Sequence, residues 1–162
     1  MPAVPAVIFE DLQCPDSAAF DRMLRESLLP RYGNRVSWEH RDFPLPKHSW
    51  ARQAAIIARY FSELDPQLGL DFRSHMLADP KAPDFPLRLA GFTRARSLVT
   101  SEAAAALSDG RLAALVDKDY RDGLAQGVAK TPTVFVGNET FIETFSVAEI
   151  SLAIDQAIAA AA

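Results

Sequence analysis

Phe9-Glu10-Asp11-Leu12-Gln13-Cys14-Pro15-Asp16-Ser17-Ala18-Ala19-Phe20 places the only cysteine of the chain where a strand gives way to a helix. Before it, Val4 to Phe9 is a short apolar, partly β-branched run of the kind that forms a buried strand. After it, Ala19, Phe20, Met23, Leu24 and Leu28 recur at helical spacing, which predicts an amphipathic helix from Pro15 to about Leu29. Cys14 then falls at the N-cap, Pro15 at the first helical position that proline favours, and Asp16 and Ser17 in the first turn. A sulfur at a helix N-terminus faces free backbone N–H groups and the positive end of the helix dipole, which favour the thiolate. Asp16 opposes this by competing for the same potential, so Cys14 reads as a moderately activated thiol. A lone cysteine is otherwise a small buried hydrophobe. The neighbouring proline and the strand-to-helix junction favour the reactive reading.

The chain has 162 residues, 49% hydrophobic and 23% charged, which suits one ordinary domain with a substantial core. A net charge of -4 and the lack of a Lys/Arg cluster interleaved with aromatics argue against nucleic acid as a partner. No apolar run approaches the roughly 20 residues of a membrane span, so membrane insertion is not expected. Met1-Pro2-Ala3-Val4-Pro5 lacks a basic leader region and runs straight into the first strand. The expectation is a cytosolic chain, or an extracytoplasmic one whose leader has been removed. One cysteine cannot form an internal disulfide and does not settle the compartment.

Beyond the first helix, which Pro30 and Gly33 are expected to end, Val36 to Arg41 alternates well enough to be a second strand. A strand, helix, strand unit of this length implies a right-handed crossover and a parallel pair. Phe43-Pro44-Leu45-Pro46 reads as a rigid extended turn. Ile56, Ile57, Tyr60, Phe61 and Leu64 give a second helix from His48 to Leu64, ended by Asp65-Pro66. A short helix over Asp71–Asp79 is closed by Pro80, Pro83 and Pro86, and Pro86–Ala95 reads as one or two helical turns. Ser101–Leu107 is helical and broken at Asp109-Gly110, after which Leu112, Leu115, Val116, Tyr120 and Leu124 mark a longer helix stopping at Gly127. Two strands, Thr133–Val136 and Glu139–Ile142, flank a Gly137-Asn138 turn and read as a hairpin. Ser146-Val-Ala-Glu149 matches a capping box ahead of a last helix with Ile150, Ile154, Ala157 and Ile158 on its apolar face. The order is β-α-β, helical block, β-β-α.

With that order in place, the chain resembles the DsbA-like thioredoxin-fold oxidoreductases. The residues that carry the likeness are Asp11-Leu-Gln-Cys14-Pro15-Asp16-Ser17 in place of the redox motif, Phe43-Pro44-Leu45 followed by His48, and Gly127-Val-Ala-Lys-Thr131-Pro132-Thr133-Val-Phe-Val136 in place of the cis-proline loop. The likeness spans nearly the whole chain. It implies a single α/β domain over 1–162, with a thioredoxin core at about 4–43 and 128–162 and a helical insert at about 44–127 after the second strand. It also implies a cis Pro132, with the Thr131 backbone pairing an extended substrate beside the thiol, and Pro15 and Asp16 flanking it. A cis bond is rare unless proline follows, and Pro132 fits the very start of a strand.

Three departures from the family pattern stand out. Ser17 occupies the place of the second cysteine, so the chain cannot close an internal active-site disulfide or act alone as a two-electron oxidant. Ile8 stands where the family often carries a buried acid; Glu10 and Asp11 lie closer to the cysteine and are candidates to substitute for it in part, but read more simply as solvated loop charges. The edge strand that often precedes the first central strand is missing, which leaves that edge open or covered by a partner.

The reading that follows is monothiol exchange. Cys14 attacks a protein or peptide disulfide, or a glutathione mixed disulfide, and an external thiol resolves the product, with Ser17 Oγ donating a hydrogen bond to the sulfur. Glutathione enters as a co-substrate, and no bound cofactor is expected. Two alternatives stay open: a glutathione-dependent isomerase or transferase of the same fold that uses Ser17, and a non-redox module that docks a peptide along Thr131-Pro132. His40, His48 and His75 lack metal-ligand spacing, so no metal is expected. His48 reads as a helix start, and Trp38 and Trp50 as core or groove aromatics.

Overall fold

Val4–Glu10 forms strand β1, the inner strand of a four-stranded sheet with order β2-β1-β3-β4. In this computed structural model, which describes residues 2–162, β2 is Val36–Asp42, β3 Thr133–Val136 and β4 Glu139–Ile142. β1 pairs in parallel with β2, from Val4 opposite Val36 to Glu10 opposite Asp42, and antiparallel with β3 from Ala6 to Phe9. Pro5 is tolerated in an inner strand because the β3 ladder begins one residue later, at Ala6. The crossover from β1 to β2 runs through α1 (Pro15–Met23), a π-helical turn (Leu24–Leu28), the short helix α2 (Leu29–Tyr32) and a 3₁₀ turn. Pro30 does not end the first helix as the sequence predicts. The wider turn stands one turn ahead of Pro30, where the ring would strike the Glu26 carbonyl in a regular α-helix. The α-helical run ends at Tyr32, and Gly33, whose φ is +53°, opens the 3₁₀ turn Gly33–Arg35.

Between β2 and β3 lie α3 (Ala51–Leu64), α4 (Pro66–Leu77), α5 (Phe85–Ala95), α6 (Thr100–Ala105) and α7 (Gly110–Ala125). Several boundaries differ from expectation, and the reason is capping. Asp65, Asp84 and Asp109 each accept a backbone N–H of the following helix, from Leu68, Leu87 and Arg111. α3 ends at Leu64, ahead of Asp65-Pro66 as predicted, and Pro66 and Pro86 in addition open the next helices as first-turn residues. The short helix predicted over 71–79 is the second half of α4, and the turn or two predicted at 86–95 is all of α5. The second helix starts at Ala51, because 47–50 is a turn. The last helix, α8 (Val147–Ala161), begins at the predicted capping box, with both Ser146 and Glu149 bonds made.

Two apolar cores result. One packs the sheet against α1 and α8 through Ile8, Phe20, Leu24, Leu28, Val134, Val136, Ile150 and Ile154. The other lies inside the helical block around Phe61, Phe72, Met76 and Phe92. Leu12 and Ala18 belong to the second core while Phe20 belongs to the first, so the segment around Cys14 joins the two. A third cluster, Phe9, Phe43 and Val128, closes the seam under α7. There Phe43 stacks on Tyr120 with ring centroids 4.4 Å apart, and Gly123 lets the ring approach.

The same seam holds a buried ion network. Arg73 of α4 pairs with Asp42 at 2.7 Å and with Glu10 at 3.4 Å, while Arg59 of α3 reaches Asp42 at 2.8 Å and contacts Asp119. Glu10 also meets His40 Nδ1 at 2.6 Å. Burial alone would raise the Asp42 carboxyl, but Arg73 and Arg59 outweigh it and hold it below the usual carboxylate range.

A Cβ on Gly123 would lie 2.9 Å from Phe43 Cδ2 and 3.1 Å from Phe9 Cδ1, whereas one on Gly91 meets nothing within 4 Å. G123A is expected to lose about 1 kcal/mol, overpacking outweighing the gain in helix propensity, and G91A to gain about 0.5–1 kcal/mol in urea denaturation. R73M strands Asp42 beside a single cation and is expected to cost about 3–5 kcal/mol at neutral pH. The Asp42 contribution is complete above the pH at which an unfolded aspartate titrates, about 3.9, and is lost as pH falls through its lowered folded value. Urea denaturation from pH 7 to pH 2 should therefore show the gap between R73M and the unaltered protein narrowing below about pH 4.

Candidate functional site

The strand β1 ends in two buried acids, and the second of them builds the loop that carries Cys14. Glu10 and Asp11 are 3% and 1% exposed, not the solvated loop charges that the sequence suggests. Asp11 is the more consequential. Its Oδ1 accepts the Gln13 N–H at 2.7 Å, and its Oδ2 accepts the Leu45 N–H at 2.7 Å and lies 2.8 Å from His48 Nδ1. A buried carboxylate needs such donors to offset its lost hydration. Gln13 adds to the join: its Oε1 accepts the Trp50 N–H at 2.7 Å and its Nε2 donates to Ser49 Oγ at 3.3 Å. The loop before Cys14 is thus fastened to the Leu45–Trp50 loop, which the sequence reads only as a turn leading into a helix.

Cys14 caps α1 with φ -90° and ψ 125°, Pro15 follows at the first position, and the Cys14 carbonyl accepts the Ala18 N–H at 2.9 Å. The residue is 6% exposed, so the sulfur lies at the floor of a groove, less open than its cap position implies. It donates to the Thr131 carbonyl at 3.5 Å. The Thr131–Pro132 bond is cis. The loop leading to it is held by Thr133 Oγ1 donating to the Lys130 carbonyl at 2.6 Å, and by the Glu143 N–H donating to the Pro132 carbonyl at 2.8 Å. Thr131 Oγ1 is buried without a protein partner.

The groove beside the sulfur has a volume of about 540 Å³ and is lined by Cys14, Pro15, Asp16, Leu45–His48, Ala129–Thr131 and Glu143. Leu45, Pro46 and His48 also line an adjoining groove of about 400 Å³ that reaches Arg52, Asp117 and Tyr120. The structure therefore brings Cys14, Pro15, Asp16 and Thr131 to one surface, with Pro132 behind Thr131. Ser17 is placed differently. It is 1% exposed, it is absent from the groove lining, and its Oγ accepts the Asp11 N–H at 3.3 Å in place of the expected hydrogen bond to Cys14.

Asp11 and His48 lie outside the site residues named from the sequence, where they read more simply as a solvated loop charge and a helix start. His48 stands 34 residues from Cys14 in sequence, and only its place after Phe43-Pro44-Leu45 marked it. Among the described residues, no group of three His, Cys, Asp or Glu side chains is arranged to hold a metal ion. No helix of the described residues is long and apolar enough to cross a membrane.

No curated relative matches the chain by sequence. The structure is similar to that of alpha-DsbA1 from Wolbachia pipientis, with a TM-score of 0.85 at 14% identity, covering 98% of this chain and 87% of that one. It is similar to the thiol-disulfide exchange protein alpha-DsbA2 of the same organism, with a TM-score of 0.82 at 18% identity over 94% and 81% of the two chains. Oxidised BdbD from Bacillus subtilis gives 0.81 at 21% identity over 96% and 88%. At these identities the likeness establishes the DsbA-like fold alone. A family model described as Thioredoxin matches residues 3–156, nearly the whole length, and the chain belongs to the thioredoxin family.

Proposed function

We propose that the chain is a thiol-disulfide oxidoreductase that works through Cys14 by mixed-disulfide exchange. The observation that carries this reading is the sulfur itself: at the cap of α1, on the floor of a groove, 3.5 Å from the carbonyl that precedes Pro132. The Cys14 thiolate attacks one sulfur of a protein, peptide or glutathione disulfide, an Sγ–S bond forms, and the old S–S bond breaks with its electron pair leaving on the other sulfur. An external thiol, glutathione among them, then attacks the mixed disulfide and releases Cys14 reduced. Thr131, ahead of Pro132, lies where it can pair with an extended substrate, and Pro15 and Asp16 form the rim.

Because Ser17 cannot supply a second sulfur, the resolving thiol must come from outside the chain. Its hydroxyl accepts from Asp11, so its role in this reading is to hold the loop before Cys14. The same placement weighs against Ser17 as the group that activates glutathione, since the residue does not line the groove.

Intact-mass analysis after exposure to oxidised glutathione is expected to show one glutathione per chain, removed by reductant and absent from C14A. An unreacted Cys14 in the folded protein would count against the exchange reading. S17C should convert the site into a Cys-Pro-Asp-Cys dithiol: the variant is expected to form an internal disulfide and to oxidise a dithiol substrate, while the unaltered chain stops at the mixed disulfide. Failure of S17C to form that bond on thiol titration would show that the two positions are not a dithiol pair.

A further inference from the structure

We propose that His48, oriented by Asp11, is the acid that protonates the thiolate leaving during exchange at Cys14. This rests on the Cys14 reading above and adds to it the residue that moves the proton. Three observations converge. First, the imidazole is held: its Nδ1 is 2.8 Å from Oδ2 of a carboxylate that is 1% exposed and also bound by two backbone N–H groups. A carboxylate accepts, so Nδ1 carries a hydrogen toward Asp11 and Nε2 is the nitrogen left to exchange protons. Second, the side chain is 18% exposed and lines the groove that Cys14 floors. Third, the sulfur's own partner is the Thr131 carbonyl, which can accept a hydrogen bond but cannot give a proton to a departing group.

The other charged groups around the ring fit the task less well. Lys130 is paired with Glu143 at 3.0 Å, and Arg52 is paired with Asp117 in the adjoining groove. Lys47 and Asp16 also line the groove, but among the described residues no hydrogen bond or ion pair holds either side chain in place there as Asp11 holds His48. On the sheet side, Ile8 is fully buried and offers no proton route.

The step balances. Cys14 thiolate, the disulfide R–S–S–R′ and protonated His48 give the Cys14–S–S–R mixed disulfide, R′–SH and neutral His48. Neutral His48 is then ready to take the proton of the external thiol that attacks the mixed disulfide, which restores the starting state.

The test uses two disulfides whose leaving thiolates need a proton to different degrees. With oxidised glutathione, whose thiolate is basic, H48N is expected to form the Cys14 adduct about tenfold or more slowly than the unaltered protein. With dithiobis(nitrobenzoate), whose aromatic thiolate leaves unprotonated, the rate should change little. His48→Asn keeps a donor toward Asp11 and lacks the second nitrogen, and its unfolding midpoint checks that the loop is intact. An equal loss with both reagents, or no loss with either, overturns the assignment of His48. If the unaltered protein reacts with neither reagent, the Cys14 reading itself is what fails.

Discussion

A carboxylate sealed under the loop before the cysteine is the constraint on which this site depends. Asp11 is nearly inaccessible, and a buried charge without donors costs several kcal/mol. The chain meets that requirement with the N–H groups of Gln13 and Leu45 and with the His48 ring. Each donor comes from a segment that lies close to Cys14, so satisfying one side chain fixes two loops and one ring. The cysteine loop, the loop after β2 and the histidine are positioned together or not at all.

Around that point the molecule is a sheet-and-helix core and a helical core that share α1. Ala18 faces the helical block and Phe20 the sheet, which leaves the first turn of α1 at the mouth of the cleft between them. The buried network of Asp42, Arg73, Arg59, Asp119 and Glu10 lies along the same seam. Its value is not net stability, since a buried ion pair replaced by apolar residues of similar volume is often no worse. What it does is exact a penalty from any other arrangement of the helices on the strands, because each misplacement would leave a charge unpaired.

Ser17 shows how a position can hold its place in a motif and change its use. In the first turn of α1, a second sulfur would complete a dithiol. A hydroxyl there instead accepts a backbone N–H from Asp11, strengthening the same loop that the Asp11 carboxylate organises. The residue supports the site from beneath it.

The sequence was sufficient wherever the signal was local. The apolar run Val4–Phe9, the Cys14-Pro15 helix start, the Gly137-Asn138 turn and the Ser146–Glu149 box each depend on residues within a few positions of one another. Their order, together with the motifs around Cys14, Phe43 and Pro132, carried the resemblance to the DsbA-like thioredoxin fold. Helix boundaries failed at Pro30, which lies inside the helical run, and at the start of α4, which Pro66 opens five residues ahead of the predicted Asp71, because a proline opens or closes a helix according to which neighbouring side chain caps it. The burial of Glu10 and Asp11 and the arrival of His48 in the groove were decided by tertiary structure. Asp11 reads as solvated until Leu45 and His48, 34 and 37 residues further on, are folded against it, and Glu10 until Arg73, 63 residues further on, reaches it, and no local pattern encodes those meetings.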